Sequence, residues 1–318
     1  MEPAIDQAGT RALSHPSPGP APAPRPTRIR DAIRLARPRQ WTKNLLVFVA
    51  PGAAGVLTHA TPALHALGAF GIFCAAASAT YFVNDSVDAE ADRQHPDKLD
   101  RPIAAGRVRP AVAVSAAFVL FAAALAGAAL LEGWQLVVVV ATYVVITVGY
   151  SLWLKHEPVI ELTAVASGFV LRAIAGGVAT HVPLSSWFLV VTSFGALFIV
   201  IGKRTAEHQM LGEERGLHRS ALEQYSLPFL RSALTLSAAG AVTTYCLWAF
   251  DRSGLGHRGD HLVWIELSVA PVITGVLYVL RLLDAGRGGA PSELALEDRT
   301  LQVLALVWAV LVGLGVYA

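Results

Sequence analysis

Asn84, Asp85, Asp88 and Asp92 fall within nine consecutive residues at the end of an apolar run. If that run is a helix that continues through the polar residues, Asn84, Asp88 and Asp92 stack four apart on one face. Oxygen donors this close repel one another unless a hard cation neutralises them. Mg²⁺ suits such a set, because it takes a few carboxylates together with the phosphate oxygens of a substrate. The spacing therefore predicts a Mg²⁺-phosphate site on Asn84, Asp88 and Asp92, with Asp85 as a further ligand or a support for one. A solvated acidic helix end is the bland alternative. It fits poorly beside His95-Pro96-Asp97-Lys98 and Arg101-Pro102 at the edge of an apolar segment.

Two basic segments are candidates for the other half of such a site. Gly202-Lys203-Arg204-Thr205-Ala206-Glu207 follows a later apolar run, and Arg37-Pro38-Arg39-Gln40-Trp41-Thr42-Lys43-Asn44 precedes the first one. Lys and Arg attract anionic oxygen directly, without a second metal cluster, so ligand charge would be shared between a metal and these cations. A basic anchor at a membrane surface would supply similar charges. The histidines show no metal-ligand spacing, and Cys74 and Cys246 lie in apolar runs as packing residues.

The elements that must position these groups are membrane spans. Of 318 residues 54% are hydrophobic and 15% charged, and the mean hydropathy is +0.52. That is far from a soluble domain, and a net charge of +2 gives no general attraction to nucleic acid. Segments of roughly 20 apolar residues, enough to cross about 30 Å of hydrocarbon, begin near Leu45, Leu67, Ala111, Trp134, Val159, Trp187, Leu230, Val263 and Leu301. The first is interrupted by Pro51-Gly52, which predicts a kinked or broken helix. With the amino terminus inside, all of the 25 Lys and Arg except Arg172, Arg252 and Arg258 fall in cytoplasmic segments. This asymmetry fixes an odd number of spans, with the carboxy terminus outside. The two long inside loops, about 85–110 and 202–229, should face each other and carry the function. Residues 1–27, rich in Pro and Ala, read as a disordered cytoplasmic tail, with 28–318 as one transmembrane domain.

Asn84-Asp85-x-x-Asp88-x-x-x-Asp92, followed by Arg101-Pro102-Ile103 and Gly106, resembles the signature of the UbiA-type intramembrane prenyltransferase superfamily. The resemblance implies an all-α helical bundle of about nine transmembrane helices around a central cavity, capped on the cytoplasmic side and open to lipid. Superfamily members that use a prenyl diphosphate carry a second Asp-rich motif after the sixth span. Here Lys203, Arg204 and Glu207 stand in its place, with Glu213, Glu214, Arg215, Arg219 and Tyr225 downstream. Together with Arg37-Pro38-x-Gln40-Trp41-x-Lys43-Asn44, this pattern is similar to the decaprenyl-phosphate phosphoribosyltransferase branch.

Resemblance to that branch implies transfer of 5-phosphoribosyl from phosphoribosyl pyrophosphate to a polyprenyl monophosphate, for arabinan cell-wall precursors, in the cell membrane. The implied catalytic groups are Asp88, Asp92 and Lys43. Substrate contacts are expected from Arg37, Gln40, Lys43, Asn44, Arg101, Lys203, Arg204, Glu207 and Tyr225, and Mg²⁺ from Asn84, Asp85, Asp88 and Asp92. Arg101 would meet pyrophosphate or serve as a loop ion pair. Arg172, inside the fifth span, needs a partner or a wet cavity, and Glu161 is the candidate. Lys155, His156 and Glu157 mark a span end, and 284–299 reads as a closing segment of helix-boundary and packing residues. Monomer and homo-oligomer both remain open. Prenyl transfer to an aromatic acceptor is a competing reading, opposed by the missing second Asp motif. A transporter is another, opposed by an acidic cluster at the membrane boundary rather than the midplane.

Overall fold

The computed structural model describes residues 29–94, 98–211, 224–254, 262–286, 294 and 297–318. The tail 1–27, His95-Pro96-Asp97, Glu213, Glu214, Arg215, Arg219 and most of 287–296 lie outside the described residues. Among those described, every regular element is helical: α1 Ile29–Ala36, α2 Val49–Ala53, α3 Ala60–Val87, α4 Ala89–Gln94, α5 Pro110–Glu132, α6 Trp134–Leu152, α7 Ile160–Ala179, α8 Ser186–Leu211, α9 Leu227–Gly254, α10 Leu262–Leu267, α11 Val269–Asp284 and α12 Arg299–Tyr317. Among the described residues eight stretches are long and apolar enough to cross a membrane, with α10 and α11 running together as one of them. The chain is a multi-pass membrane protein.

Small residues make the close packing. Ala69 and Ala76 of α3, Ala124 and Ala128 of α5, and Ala175 and Ala179 of α7 are almost fully buried in one cluster with Val47, Phe73 and Tyr143. Without a hydrophobic drive between helices in lipid, such residues stabilise association by letting backbones approach. Gly133, at φ 68°, joins α5 to α6 in a one-residue turn. At that end Glu132 is held between His65 and His181, with His181 Nε2 2.9 Å from Oε2, which ties α3 and α5 to the end of α7.

The first expected span, from Leu45 to Ala63, is not one helix. A 3-10 helix covers Pro38–Phe48, α2 follows with Pro51 and Gly52 inside it, a 3-10 turn covers Val56–Thr58, and α3 starts at Ala60. At about 2.0 Å per residue in the 3-10 part and 1.5 Å in α2, Pro38–Ala53 extends about 30 Å, the thickness of the hydrocarbon core. An 11-residue 3-10 run is long for this conformation. With three residues per turn its side chains form three columns. Trp41, Asn44 and Val47 turn inward, and Asn44 and Val47 are 0% exposed. Arg39, Thr42 and Leu45 are exposed. Gln40, Lys43 and Leu46 are half-buried, as is Arg37 at the cap. Gly176 of α7 lies directly against this backbone, since a Cβ there would stand 1.8 Å from the Val47 oxygen.

Candidate active site

The acidic run does stay helical in its hydrogen bonding. α3 ends at Val87, yet Asp88 N donates to Asn84 O at 2.9 Å and Asp92 N to Asp88 O at 2.8 Å, so α4 continues the ladder. The side chains divide differently from the expected single face. Asn84 Nδ2 donates to Asp88 Oδ2 at 3.1 Å, and Asp88 Oδ1 also takes the Lys155 ammonium. Asp92 instead pairs with Asp85, seven residues back and nearly two turns away. Arg101 Nη1 reaches Asp85 Oδ1 at 3.3 Å and Asp92 Oδ2 at 2.7 Å. Both of these carboxylate side chains are 2% exposed, and the Lys98 ammonium lies 3.5 Å from Asp92.

Arg37 brings the 3-10 column to this cluster, donating from Nη2 to Asp85 Oδ1 at 2.5 Å and lying 4.9 Å over the Tyr81 ring. Its backbone is left-handed, φ 51° and ψ 60°, an uncommon conformation for a residue with a Cβ. That turn starts the 3-10 helix, in which half-buried Gln40 and Lys43 stand one turn apart. Trp41 Nε1 fixes the opposite side by donating to Ser78 Oγ of α3 at 3.1 Å. Asn44, expected at the substrate, faces the bundle instead, where Nδ2 donates to Cys74 Sγ at 3.2 Å and Oδ1 accepts from Arg172 Nε at 2.6 Å.

The second basic segment forms its own buried cluster. Arg204 grips Glu161 with two bonds of 2.7 Å, from Nε and Nη2, and Nη1 donates to Glu207 at 2.9 Å. Glu161 is therefore the partner of Arg204 and not of Arg172. Lys203, nearly half exposed, lies 3.9 Å from Glu207. Tyr225 OH accepts from Val159 N at 2.7 Å, and burial pushes its phenol up, against the lowering effect of that N–H, so it stays neutral. Val159 has φ 65°, rare for a β-branched residue, and the bond its N–H donates to Tyr225 helps hold it. The short stretch from Lys155 to Glu161 thus joins the acidic cluster at Asp88 to the basic cluster at Arg204. Lys155 was legible only as the end of a span, because an isolated Lys in a short loop carries no partner information in sequence.

Asn84, Asp85, Asp88 and Asp92 offer hard oxygen donors, which is the chemistry Mg²⁺ requires. In this arrangement protein cations, Arg101, Arg37, Lys98 and Lys155, balance the carboxylates, and no group of three acidic, His or Cys side chains is close enough to hold a metal among the described residues. The donor types fit, and holding the metal would exchange some of these cation contacts for metal contacts.

Residues 45–303 match the family model described as the UbiA prenyltransferase family. The chain is 43% identical over 289 residues to the decaprenyl-phosphate phosphoribosyltransferase of Corynebacterium glutamicum, covering 90% of this chain and 86% of that protein. It is 44% identical over 292 residues to the protein of the same name from Mycobacterium tuberculosis, covering 91% and 95%. Among solved structures, a UbiA homolog from Archaeoglobus fulgidus bound to GPP and Mg²⁺ aligns with a TM-score of 0.67 at 19% identity, covering 90% of this chain and 98% of that one. At that identity the likeness speaks for the fold. A match to the family model over most of the chain, relatives this similar, and an acidic helix end set against the basic segment before the first span all agree: this chain belongs to the UbiA prenyltransferase family.

Proposed function

We propose that the chain transfers the 5-phosphoribosyl group of phosphoribosyl pyrophosphate to a polyprenyl monophosphate of the decaprenyl type, releasing pyrophosphate, in the making of arabinan cell-wall precursors. The observation that carries this is the meeting of Arg37 with Asp85 at the acidic helix end, which the stretch from Lys155 to Glu161 links to the Lys203–Arg204–Glu207 segment that stands where other family members have a second Asp-rich motif. Such a site offers one place for a metal-held pyrophosphate and several cations for phosphates. The four relatives at 42–44% identity carry this activity in their names.

In the reaction the bond from the anomeric carbon of ribose to the pyrophosphate oxygen breaks, and one oxygen of the lipid phosphate forms the new bond to that carbon. Mg²⁺ held by Asn84, Asp85, Asp88 and Asp92 would neutralise the leaving pyrophosphate. Arg101, between Asp85 and Asp92, stands where it meets the same group. Arg37, Gln40, Lys43 and Lys203 orient the donor 5-phosphate and the acceptor phosphate. Arg204, Glu207 and Tyr225 act one step back, by fixing the start of α7 and with it Lys155. A phosphate monoester is largely ionised near neutral pH, so no side chain need remove a proton, and positioning and electrostatics carry the acceleration. The distribution of Lys and Arg supports a cytoplasmic position for this face, on the side of the sugar donor, with the lipid acceptor in the bilayer.

The test is purified protein with Mg²⁺, phosphoribosyl pyrophosphate and decaprenyl phosphate, reading phosphoribosyl-lipid and pyrophosphate together, beside a parallel reaction of a prenyl diphosphate with an aromatic acid. Equal amounts of both products in the first reaction are expected. Product in the second reaction alone would overturn the proposal.

A further inference from the structure

Arg172 lies at the middle of α7, 6% exposed, and takes no direct part in either cluster described above. Among the described residues no carboxylate pairs with it. Its guanidinium is instead held by neutral acceptors: Asn44 Oδ1 at 2.6 Å from Nε, Gly168 O at 2.5 Å from Nη1, and Tyr143 OH at 3.0 Å from Nη2. It also lies 4.8 Å from the Tyr143 ring centre. A cation inside a membrane bundle costs a few kcal/mol by insertion scales, which plain packing would avoid with an apolar residue. What the charge obtains here is a strong bond to one side chain of the 3-10 helix, at the position that must point inward.

That position sets the register. A 3-10 helix turns 120° per residue and an α-helix 100°, so over the six residues from Trp41 to Val47 the two conformations differ by about 120°. In the 3-10 form Gln40 and Lys43 share a column and Asn44 faces α7. In the α form Lys43 would leave that column. Long 3-10 runs have poorer hydrogen-bond geometry than α-helix, so this one needs external anchors.

We propose that Arg172 is a positioning residue which, through Asn44, holds Pro38–Phe48 in the 3-10 register and thereby keeps Lys43 in line with Gln40. The inference rests on the reading of that column as the phosphate-binding side of the site. Its test has two arms. In the first, single cysteines at Thr42 and Lys43 are modified by a membrane-impermeant charged thiol reagent, in parent and Arg172→Gln backgrounds; Cys74 is buried and Cys246 partly so, both within membrane helices. The parent should modify Lys43→Cys, on the side read as taking soluble phosphates, and Thr42→Cys, one column away, at distinct rates, and Arg172→Gln should bring the two rates together. In the second arm, Arg172→Gln and Asn44→Ala should each raise the KM for an anionic substrate about tenfold, with a smaller change in kcat, and the double variant should resemble either single one.

Tyr143→Phe, which leaves the Arg172–Asn44 bond in place, should raise KM about threefold, and it serves with Asn44→Ala if Arg172→Gln fails to fold. An unchanged modification pattern, or effects of the two substitutions that multiply, would overturn the proposal. If the parent makes no phosphoribosyl-lipid, the functional reading fails, while the modification rates still decide the positioning role.

Discussion

Gly176→Ala tests how closely the 3-10 helix must be seated. The added Cβ would stand 1.8 Å from the Val47 carbonyl oxygen and 2.8 Å from its carbon, both backbone atoms with no rotamer to yield. Carbon and oxygen settle at about 3.3–3.6 Å even in favourable contact, so Val47 or α7 must move by about 1.5 Å. Val47 is four residues from Lys43 on the same short helix, and the shift reaches the cation column. Overpacking of this kind costs about 1–3 kcal/mol of stability, and a displacement near 1 Å at positioning groups costs about 100-fold in rate. Phosphoribosyl-lipid formation measured together with thermal unfolding in detergent should show kcat/KM down about 100-fold with a modest loss of stability. Gly195→Ala is the control, since a Cβ there meets nothing within 4 Å. In a helix interior it should stabilise, by up to about 1 kcal/mol. A Gly176→Ala enzyme within a factor of about three of its parent in kcat/KM would refute the reasoning.

Arg204→Met leaves Glu161 charged and buried, with side-chain exposures of 4% and 2% in the parent pair. It should destabilise by about 3–5 kcal/mol, and adding Glu161→Gln should restore most of the loss in thermal unfolding; no restoration would mean that Arg204 acts through packing alone. Lys155→Met removes a cation from Asp88, so Mn²⁺ binding without substrate, followed by electron paramagnetic resonance, should tighten about thirtyfold, the effect of about 2 kcal/mol between one positive charge and a divalent ion at about 4 Å in a water-like medium. Asp298 caps α12, accepting from Thr300 N at 2.8 Å and Leu301 N at 3.1 Å. Desolvation pushes its carboxyl up, but these N–H bonds and the Tyr278 hydroxyl outweigh it and hold the group below the usual carboxylate range. A depressed value means that the cap stabilises fully above about pH 4 and is lost as pH falls through the lowered value. Amide exchange at the start of α12 should show that loss in the parent and a smaller one in Asp298→Asn.

Hydropathy and motif spacing carried most of the architecture. Expected spans beginning at Leu67, Ala111, Trp134, Val159, Trp187, Leu230, Val263 and Leu301 correspond to the eight long helices, because about 20 apolar residues leave the backbone few other ways to satisfy its hydrogen bonds in lipid. Family membership was legible in Asn84–Asp92 and Arg101-Pro102, since metal and phosphate chemistry restricts residue type and spacing along a single chain segment.

Tertiary structure decided what depends on partners far apart in sequence. Arg37 to Asp85, Lys155 to Asp88, Arg204 to Glu161 and Arg172 to Asn44 are separated by between 43 and 128 residues, and nothing local in the chain selects among the possible cation-acceptor pairs. The 3-10 register of Pro38–Phe48 was equally hidden. Residues 37, 40 and 43 can be read at either helical period, and the choice is made by Gly176, Ser78 and Arg172 pressing on that segment from neighbouring helices. Propensity acts along the chain, whereas a buried charge needs its counterpart wherever the fold brings one within 3 Å.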